Sequence, residues 1–344
     1  MNYFKSCWLP VFLLAFGVAS CTSLDAPDVS AVKVKLTARR FDRDFSAIDT
    51  TAVGAGLQRL QQQYPDFLNF YLDTLMGFGV RGQYADTALP VREGVRVLLT
   101  QKDYRGLFDT VAAHFPDTKA AEAAITDAYR YYRHYFPQAP EQRPLVFFTA
   151  NLNRYNAITY EDLLGVGLDM YLGPQYPFYR SVEIPEYMIR RLTPASIPVD
   201  LMIALHREQH PFEPENQRLI DLMIQRGQEL YFLTKVLPQT PDSIRLGYAG
   251  EQLHWLEDNE TYVYHFYIQK KLLHETNMLK VIRYVTDGPR DVAISAEAPG
   301  NTGSWIGFRI FSAWMDKHPD LPLAEALKPK DGQQILQESG YKPK

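Results

Sequence analysis

Cysteine is almost absent from this chain. Only Cys7 and Cys21 occur among its 344 residues, and both lie near its beginning. The remainder therefore has no thiol for a disulfide, a thiolate metal site or a cysteine nucleophile. A body of roughly 320 residues can bury a substantial core, as one large domain or two small ones. Its stability must come from packing.

Long basic runs are absent as well. The chain has 36 Lys and Arg against 40 Asp and Glu, a net charge of −4, and its basic residues are scattered. We therefore expect no nucleic-acid partner. The Gly-x-Ser-x-Gly nucleophile elbow, the Gly-x-x-x-x-Gly-Lys phosphate loop and the dinucleotide fingerprint are also missing, which argues against the enzymes that use them. Carboxylate pairs for glycoside hydrolysis stay open, because their approach depends on the fold.

The apolar run at the beginning of the chain, residues 7–19, falls short of the roughly 20 residues that a membrane-spanning helix needs. It has the length of a signal-peptide core. The small residues directly before Cys21 resemble the lipobox of bacterial lipoproteins, in which the cysteine is lipidated and becomes the first mature residue. We predict a signal peptide over residues 1–20, and a lipidated Cys21 with a polar tether over residues 21–30. The alternative is an ordinary secretory signal with an incidental cysteine.

Helical periodicity dominates the rest of the chain. Helices are predicted over residues 52–78 with a break at Pro65, 89–99, 104–115, 118–136, a stretch from about 199, 217–237, 250–271, 277–285 and 304–317. Short β-branched or aromatic runs predict strands over residues 32–36, 145–149 and 166–172. We expect a predominantly helical α+β fold, with a single compact domain over residues 31–329 that contains a small sheet. Residues 330–344 are expected to form a loosely attached C-terminal tail.

Three titratable residues, Asp169, His254 and His265, are expected to have structural roles. Asp169 falls in the third predicted strand, where a lone carboxylate is usually structural. His254 and His265 are eleven residues apart on one predicted helix that is rich in aromatic residues. No carboxylate pattern accompanies these two histidines, so we expect them to serve packing.

One local arrangement has the spacing of metal ligands. His206 and His210 are four residues apart and would project from the same face of a helix. In the His-Glu-x-x-His helix of zinc peptidases, a glutamate directly follows the first histidine and acts as general base, whereas here that position is Arg207. Its permanent positive charge would repel a divalent cation. Pro211 also disfavours helical geometry at His210, so the second ligand would lie at a fraying helix end.

A third metal ligand would come from the next predicted helix, where Glu229 is the nearest carboxylate. Zinc-peptidase-like sequences more often carry the acidic ligand directly before the glycine, and here that position is Arg226. Two interpretations stay open. The histidines are either satisfied or surface residues with no cofactor, or they form a zinc site with Glu229.

The order of these segments resembles the GldB family of gliding-motility lipoproteins of the Bacteroidetes, over most of the chain. The resemblance rests on the lipobox followed by PDVS (27–30), and then on RFDRDF (40–45), YPDFL (64–68), GLDMYLG (167–173), YPFY (176–179), GQELYF (227–232), WLEDNE (255–260) and GSWIGF (303–308). It implies a cell-envelope lipoprotein, facing the periplasm or cell surface, that is needed for gliding and is associated with the machinery that secretes and propels surface adhesins.

The family is also similar, distantly, to helical zinc-dependent peptidases, and the chain departs from a working peptidase pattern at Arg207 and Arg226. We therefore expect a non-catalytic protein that acts through contacts with components of the gliding and secretion machinery and is held to a membrane by Cys21. The first alternative is a membrane-anchored zinc metallopeptidase that uses His206, His210 and Glu229. The second is a glycan-binding lipoprotein with an aromatic groove.

Overall fold

A computed structural model describes residues 26–79 and 89–343. Four strands are present in this part of the chain: β1 (Lys35–Arg40), β2 (Gln142–Phe148), β3 (Ala157–Tyr160) and β4 (Leu163–Gly167). The helices of the first half are α1 (Phe41–Ser46), α2 (Val53–Gln63), α3 (Phe67–Phe70), α4 (Leu89–Thr100), α5 (Lys102–His114) and α6 (Lys119–Tyr135). Those of the second half are α7 (Phe178–Ser181), α8 (Glu186–Ile189), α9 (Ile197–Gln209), α10 (Leu219–Val236), α11 (Asp242–Arg245), α12 (Gly250–Asp258), α13 (Glu260–Gln269), α14 (Met278–Val281), α15 (Thr302–Asp316), α16 (Leu323–Ala326) and α17 (Gly332–Ser339). The predominantly helical α+β class is confirmed.

The sheet has the strand order β1-β2-β4-β3. β1 and β4 both run parallel to β2, and β3 closes the other edge as an antiparallel partner of β4. The two faces of β2 serve different cores, because successive side chains of a strand point in opposite directions. Leu145 and Phe147 belong to the larger core with α6, α9, α10 and α15, whereas Val146 and Phe148 belong to a smaller core with α1 to α5. Helices therefore cover both faces of the sheet.

Three details of the predicted strands are wrong. The first strand begins at Lys35 rather than at residue 32 and ends at Arg40. The sequence does not predict β3. The predicted strand over 166–172 ends at Gly167 and continues as a 3₁₀ helix over Leu168–Tyr171. The physical reason is Asp169, whose carboxylate accepts main-chain N–H groups of the loop after β2 and so turns the chain away from the sheet.

Two further differences concern helices. The single helix predicted over 250–271 is interrupted at Asn259, whose side-chain amide donates to the Trp255 carbonyl at 2.8 Å and so competes with the helical pattern. His254 and His265 consequently lie on different helices, and both are exposed rather than packed. The expected break near Pro65 is confirmed, since α2 ends at Gln63 and α3 begins at Phe67.

The C-terminal residues after Pro329 are not loosely attached, contrary to the prediction. They form α17, which begins with Asp331 accepting from the Gln334 N–H and packs on α10 and α15. Ile335 is buried, and the Tyr341 hydroxyl donates to the buried Glu260 at 2.7 Å. Because the apolar face of α17 is short, only the tertiary contacts reveal that it belongs to the core.

The helices α10 and α15 cross at two glycines. A Cβ added at Gly307 would lie 1.7 Å from the Met223 carbonyl oxygen, and one at Gly227 would lie 2.3 Å from the Gly307 carbonyl carbon. The two backbones are therefore in direct contact, and α10 also packs against α9. This crossing positions the side chains of α10 that face α9.

Candidate functional site

A cleft of about 350 Å³ opens beside α9 and α10. Its charged lining comes from separate parts of the chain and consists of Arg154, Arg191, Arg207, Arg226 and Arg245 with Asp200, Glu229 and Asp287. We call it the arginine cleft. The remaining wall is largely aliphatic, so the cleft combines fixed charges with apolar surface.

The last turn of α9 carries the two histidines that the sequence singles out. His206 lies on the helix, whereas His210 follows its end with φ −131° and ψ 71°, as expected before Pro211. The two imidazole rings are nevertheless close, with centroids 5.0 Å apart. The pair therefore lies close together, although His210 is outside the helix.

His206 is buried against an aromatic neighbour. Its ring lies 5.0 Å from that of Phe232 on α10, and its Nδ1 has no hydrogen-bond partner among the described residues. Burial lowers the pKa of His206 to about 4, and it also lowers the pKa of His210. Two neutral imidazoles thus lie next to each other at the end of α9.

Glu229 on α10 lines the arginine cleft, and its carboxylate is bound by two arginines. Arg207 donates from Nε and Nη2 to the two carboxylate oxygens at 2.6 and 3.0 Å, and Arg226 donates from Nη1 at 2.5 Å. Burial alone would raise the pKa of Glu229, but Arg226 and Arg207 together hold it at about 2. This carboxylate is therefore an ion that two guanidinium groups neutralise.

The two arginines that depart from the peptidase pattern thus contact the carboxylate that would be the third metal ligand. A metal ion bound by His206, His210 and Glu229 would have to displace the bidentate guanidinium of Arg207, a strong and directional partner. No group of three or more His, Cys, Asp or Glu residues within residues 26–79 and 89–343 has a metal-binding arrangement. Glu208 is exposed, so it does not supply a general base next to the histidines.

A second ion network lies across the cleft. Arg191 donates to Asp287 at 2.8 Å and lies 3.8 Å from Asp200. Asp200, in the first turn of α9, also accepts from the Tyr171 hydroxyl at 2.9 Å and the Asn156 amide at 3.0 Å. Its oxygens are thereby fixed in place.

A loop that sequence reasoning missed brings Arg154 into the cleft. Three residues of this β2–β3 loop, Asn151, Leu152 and Arg154, have positive φ values of 52°, 59° and 65°. Such left-handed geometry is strained for residues other than glycine. Asp169 stabilises it by accepting from the Leu152 N–H at 2.7 Å and the Ala150 N–H at 3.1 Å.

Asp169 therefore has the structural role that the sequence predicts, but the loop it shapes leads to the cleft. Burial raises the pKa of Asp169 to about 6, even though the Leu152 and Ala150 N–H groups favour its charged form. The only sequence signal for the loop was Asp169 itself in an apolar segment. Lipidation at Cys21 and the signal peptide over 1–20 lie outside the described residues.

The described part of the chain contains no helix that is both long and apolar enough to cross a membrane. Comparison with known proteins finds one family: the model described as gliding motility protein GldB matches residues 22–343. No curated protein and no solved structure matches the chain. Because the family model covers nearly all of it, the chain belongs to the GldB family of gliding motility proteins.

Proposed function

We propose, from this family membership and the geometry of the arginine cleft, that the protein is a lipid-anchored cell-envelope component of the gliding machinery and its associated secretion system. It acts through contacts with other protein components rather than through catalysis. The family match supports the link to gliding motility. The anchor is proposed at Cys21, on the lipobox-like residues that precede it.

The observation that carries the non-catalytic part of the proposal is the state of Glu229. A zinc peptidase needs a carboxylate free to bind metal or to accept a proton near the metal-bound water. Here the carboxylate is neutralised by Arg207 and Arg226, and the position of the general base is itself Arg207. Such a site is suited to rigid binding of a charged partner.

Deletion in a gliding host, with complementation by the wild-type chain, tests the motility role. We expect loss of colony spreading and of surface adhesin display, and recovery of both on complementation. The general proteolytic activity of the cells should not change, since the proposed role is a contact. Undiminished gliding in the deletion strain would contradict the proposal.

Zinc content tests the alternative of a membrane-anchored metallopeptidase. The purified wild-type chain and a His206→Ala variant are compared by elemental analysis. Near-stoichiometric zinc in the wild type that is lost in the variant would overturn the non-catalytic proposal and justify a peptidase assay. Equal and substoichiometric zinc in both proteins is the expected result.

A further inference from the structure

The arginine cleft carries more positive than negative charge. Five guanidinium groups line it against three carboxylates, an excess of two positive charges. Arg245 is compensated by Asp242, which lies on its own helix outside the lining. Arg154 has no such partner, because among residues 26–79 and 89–343 it donates only to the main-chain oxygen of Glu183, at 3.1 Å.

Several donors in the cleft are unused. Arg207 engages Glu229 with Nε and Nη2, which leaves Nη1 without a bond within the described chain, and its side chain is 44% exposed. Arg226 engages Glu229 with Nη1 alone, and its buried Nε has no partner there. Guanidinium groups that are fixed on one edge and free on another are preorganised for a second anion, since their rotamers are already ordered.

The uncharged wall of the cleft indicates what accompanies the anion. Leu192, Ile203, Leu230, Leu233 and Leu246 contribute aliphatic side chains to it. A bare inorganic anion would leave this wall uncovered, and a highly charged polyanion would exceed the small positive excess that remains after Arg245 is paired with Asp242. The volume of about 350 Å³ is at the lower end of the range of ligand pockets, and it admits a short peptide segment.

We propose that the arginine cleft binds a carboxylate-bearing peptide segment of a partner protein, through Arg154 and the free edges of Arg207 and Arg226. The carboxylate is either the C-terminus of the partner or an acidic side chain, flanked by an aliphatic residue that packs on the leucine-rich wall. This inference rests on the proposed function, because it identifies where the protein contact is made. The strained loop of residues 151–154 is then the element that presents the recognising arginine.

Binding of three labelled peptides to the purified full-length chain in detergent tests the inference by fluorescence anisotropy. The first, Gly-Ala-Leu-Ala-Leu, has a free C-terminal carboxylate, and the second is its C-terminal amide. The third, Gly-Leu-Glu-Leu-Ala amide, carries only a side-chain carboxylate. We expect the first or the third to bind and the second to bind at least tenfold more weakly, and the stronger of the two identifies the source of the carboxylate.

Arg154→Gln should weaken that binding at least tenfold, and Arg154→Lys, which keeps the charge, should restore part of it. Arg96→Gln is the matched control, because Arg96 is exposed on α4 and donates to Glu93 of the same helix. Circular dichroism of all variants verifies that each is folded. Equal loss in Arg96→Gln and Arg154→Gln would overturn the assignment to the cleft.

Inorganic phosphate is added as a competitor. Phosphate binding without binding of either carboxylate peptide would overturn the inference in favour of a simple anion site, and no binding of any probe would overturn it as well. Complementation of the deletion strain separates this failure from that of the proposed function. Recovery of gliding by wild-type and Arg154→Gln chains alike would leave the motility role intact and remove the cleft from it.

Discussion

Glu229 shows at the scale of one residue how a candidate metal ligand becomes part of an ion network. Its side chain is only 5% exposed, as is expected for a carboxylate that is kept charged inside a protein by paired guanidinium groups. Arg226 beside it is also largely buried, at 13% exposure. Removing one partner of such a buried pair leaves an uncompensated charge, which costs more than the pair itself contributes.

We therefore expect Glu229→Ala to lower the free energy of unfolding by about 3 kcal/mol. The measurement is urea denaturation followed by circular dichroism. Glu93→Ala is the control, because Glu93 forms an exposed pair with Arg96 and its loss should change stability little. Equal midpoints for Glu229→Ala and wild type would contradict the buried network.

Asp169 has the opposite electrostatic behaviour, since burial raises the pKa of its carboxyl well above the usual range of an aspartate, to about 6. The folded state therefore holds a proton on this carboxyl more tightly than the unfolded state does. That contribution to stability is fully present below about pH 4 and is lost as the pH rises to about 6. The raised pKa corresponds to a change of roughly 3 kcal/mol in the free energy of unfolding.

Asp169→Asn removes this titration while keeping an oxygen acceptor for the loop. We expect the stability of the wild type relative to the variant to fall by roughly 3 kcal/mol between pH 4 and pH 7. Urea unfolding of both proteins across this range measures the difference. If the stability of the wild type relative to the variant stays constant or grows with pH, the raised pKa of Asp169 is contradicted.

Among the helices, α10 and α15 cross with their backbones in direct contact. Gly307→Ala would place a methyl group within covalent distance of the Met223 carbonyl oxygen, so the helices would have to separate. We expect a loss of about 3 kcal/mol in thermal or urea unfolding, at the upper end of overpacking effects. Gly106→Ala on the exposed surface of α5 meets no atom of another described segment within 4 Å and should instead stabilise by up to about 1 kcal/mol. Unchanged stability of the Gly307→Ala variant would contradict the direct contact between the backbones of α10 and α15.

The attachment of α17 is tested by truncating its buried side chain. Ile335 is 2% exposed, and Ile335→Ala should lower the free energy of unfolding by about 3 kcal/mol through the cavity that it leaves. Leu279 is 89% exposed, so Leu279→Ala removes a similar aliphatic group from the surface and should change the free energy of unfolding little. Equal stability of Ile335→Ala and wild type would instead support a loosely attached C-terminal tail.

At the scale of the whole molecule, only a short segment separates the proposed anchor at Cys21 from the folded domain. Val29 is buried and Asp28 accepts from the Ser30 N–H, so the end of the predicted tether already belongs to the folded body. Residues 21–28 can span at most roughly 25 Å when extended. A lipid on Cys21 would therefore hold the domain close to the membrane surface.

Cys21→Ala tests this arrangement. Two acyl chains give stable anchoring because each buried methylene contributes roughly 0.8 kcal/mol, so the variant should move from the membrane to the soluble fraction on cell fractionation. Its folded domain should keep the wild-type unfolding midpoint. A variant that remains in the membrane fraction with its signal cleaved would contradict the anchor at Cys21.

Much of this protein follows from the chain itself. Apolar periodicity is a local property, so it predicts the helices from α2 to α6, α9, α10 and α15 and the strand β2 within a few residues. The spacing of His206 and His210 and the position of Pro211 likewise predict that the two rings meet at the end of a helix. The order of the motifs identifies the family.

Only the tertiary structure decided the chemistry of the site. Spacing along the chain can place Arg226 one helical turn from Glu229, but it cannot show that Arg207 reaches the same carboxylate, because that depends on how α9 packs on α10. Nor can it show that Asp169, 15 residues after Arg154, shapes the loop that brings Arg154 into the same cleft. Helices arise from interactions between neighbouring residues, whereas ion pairs and strained loops depend on contacts between distant segments.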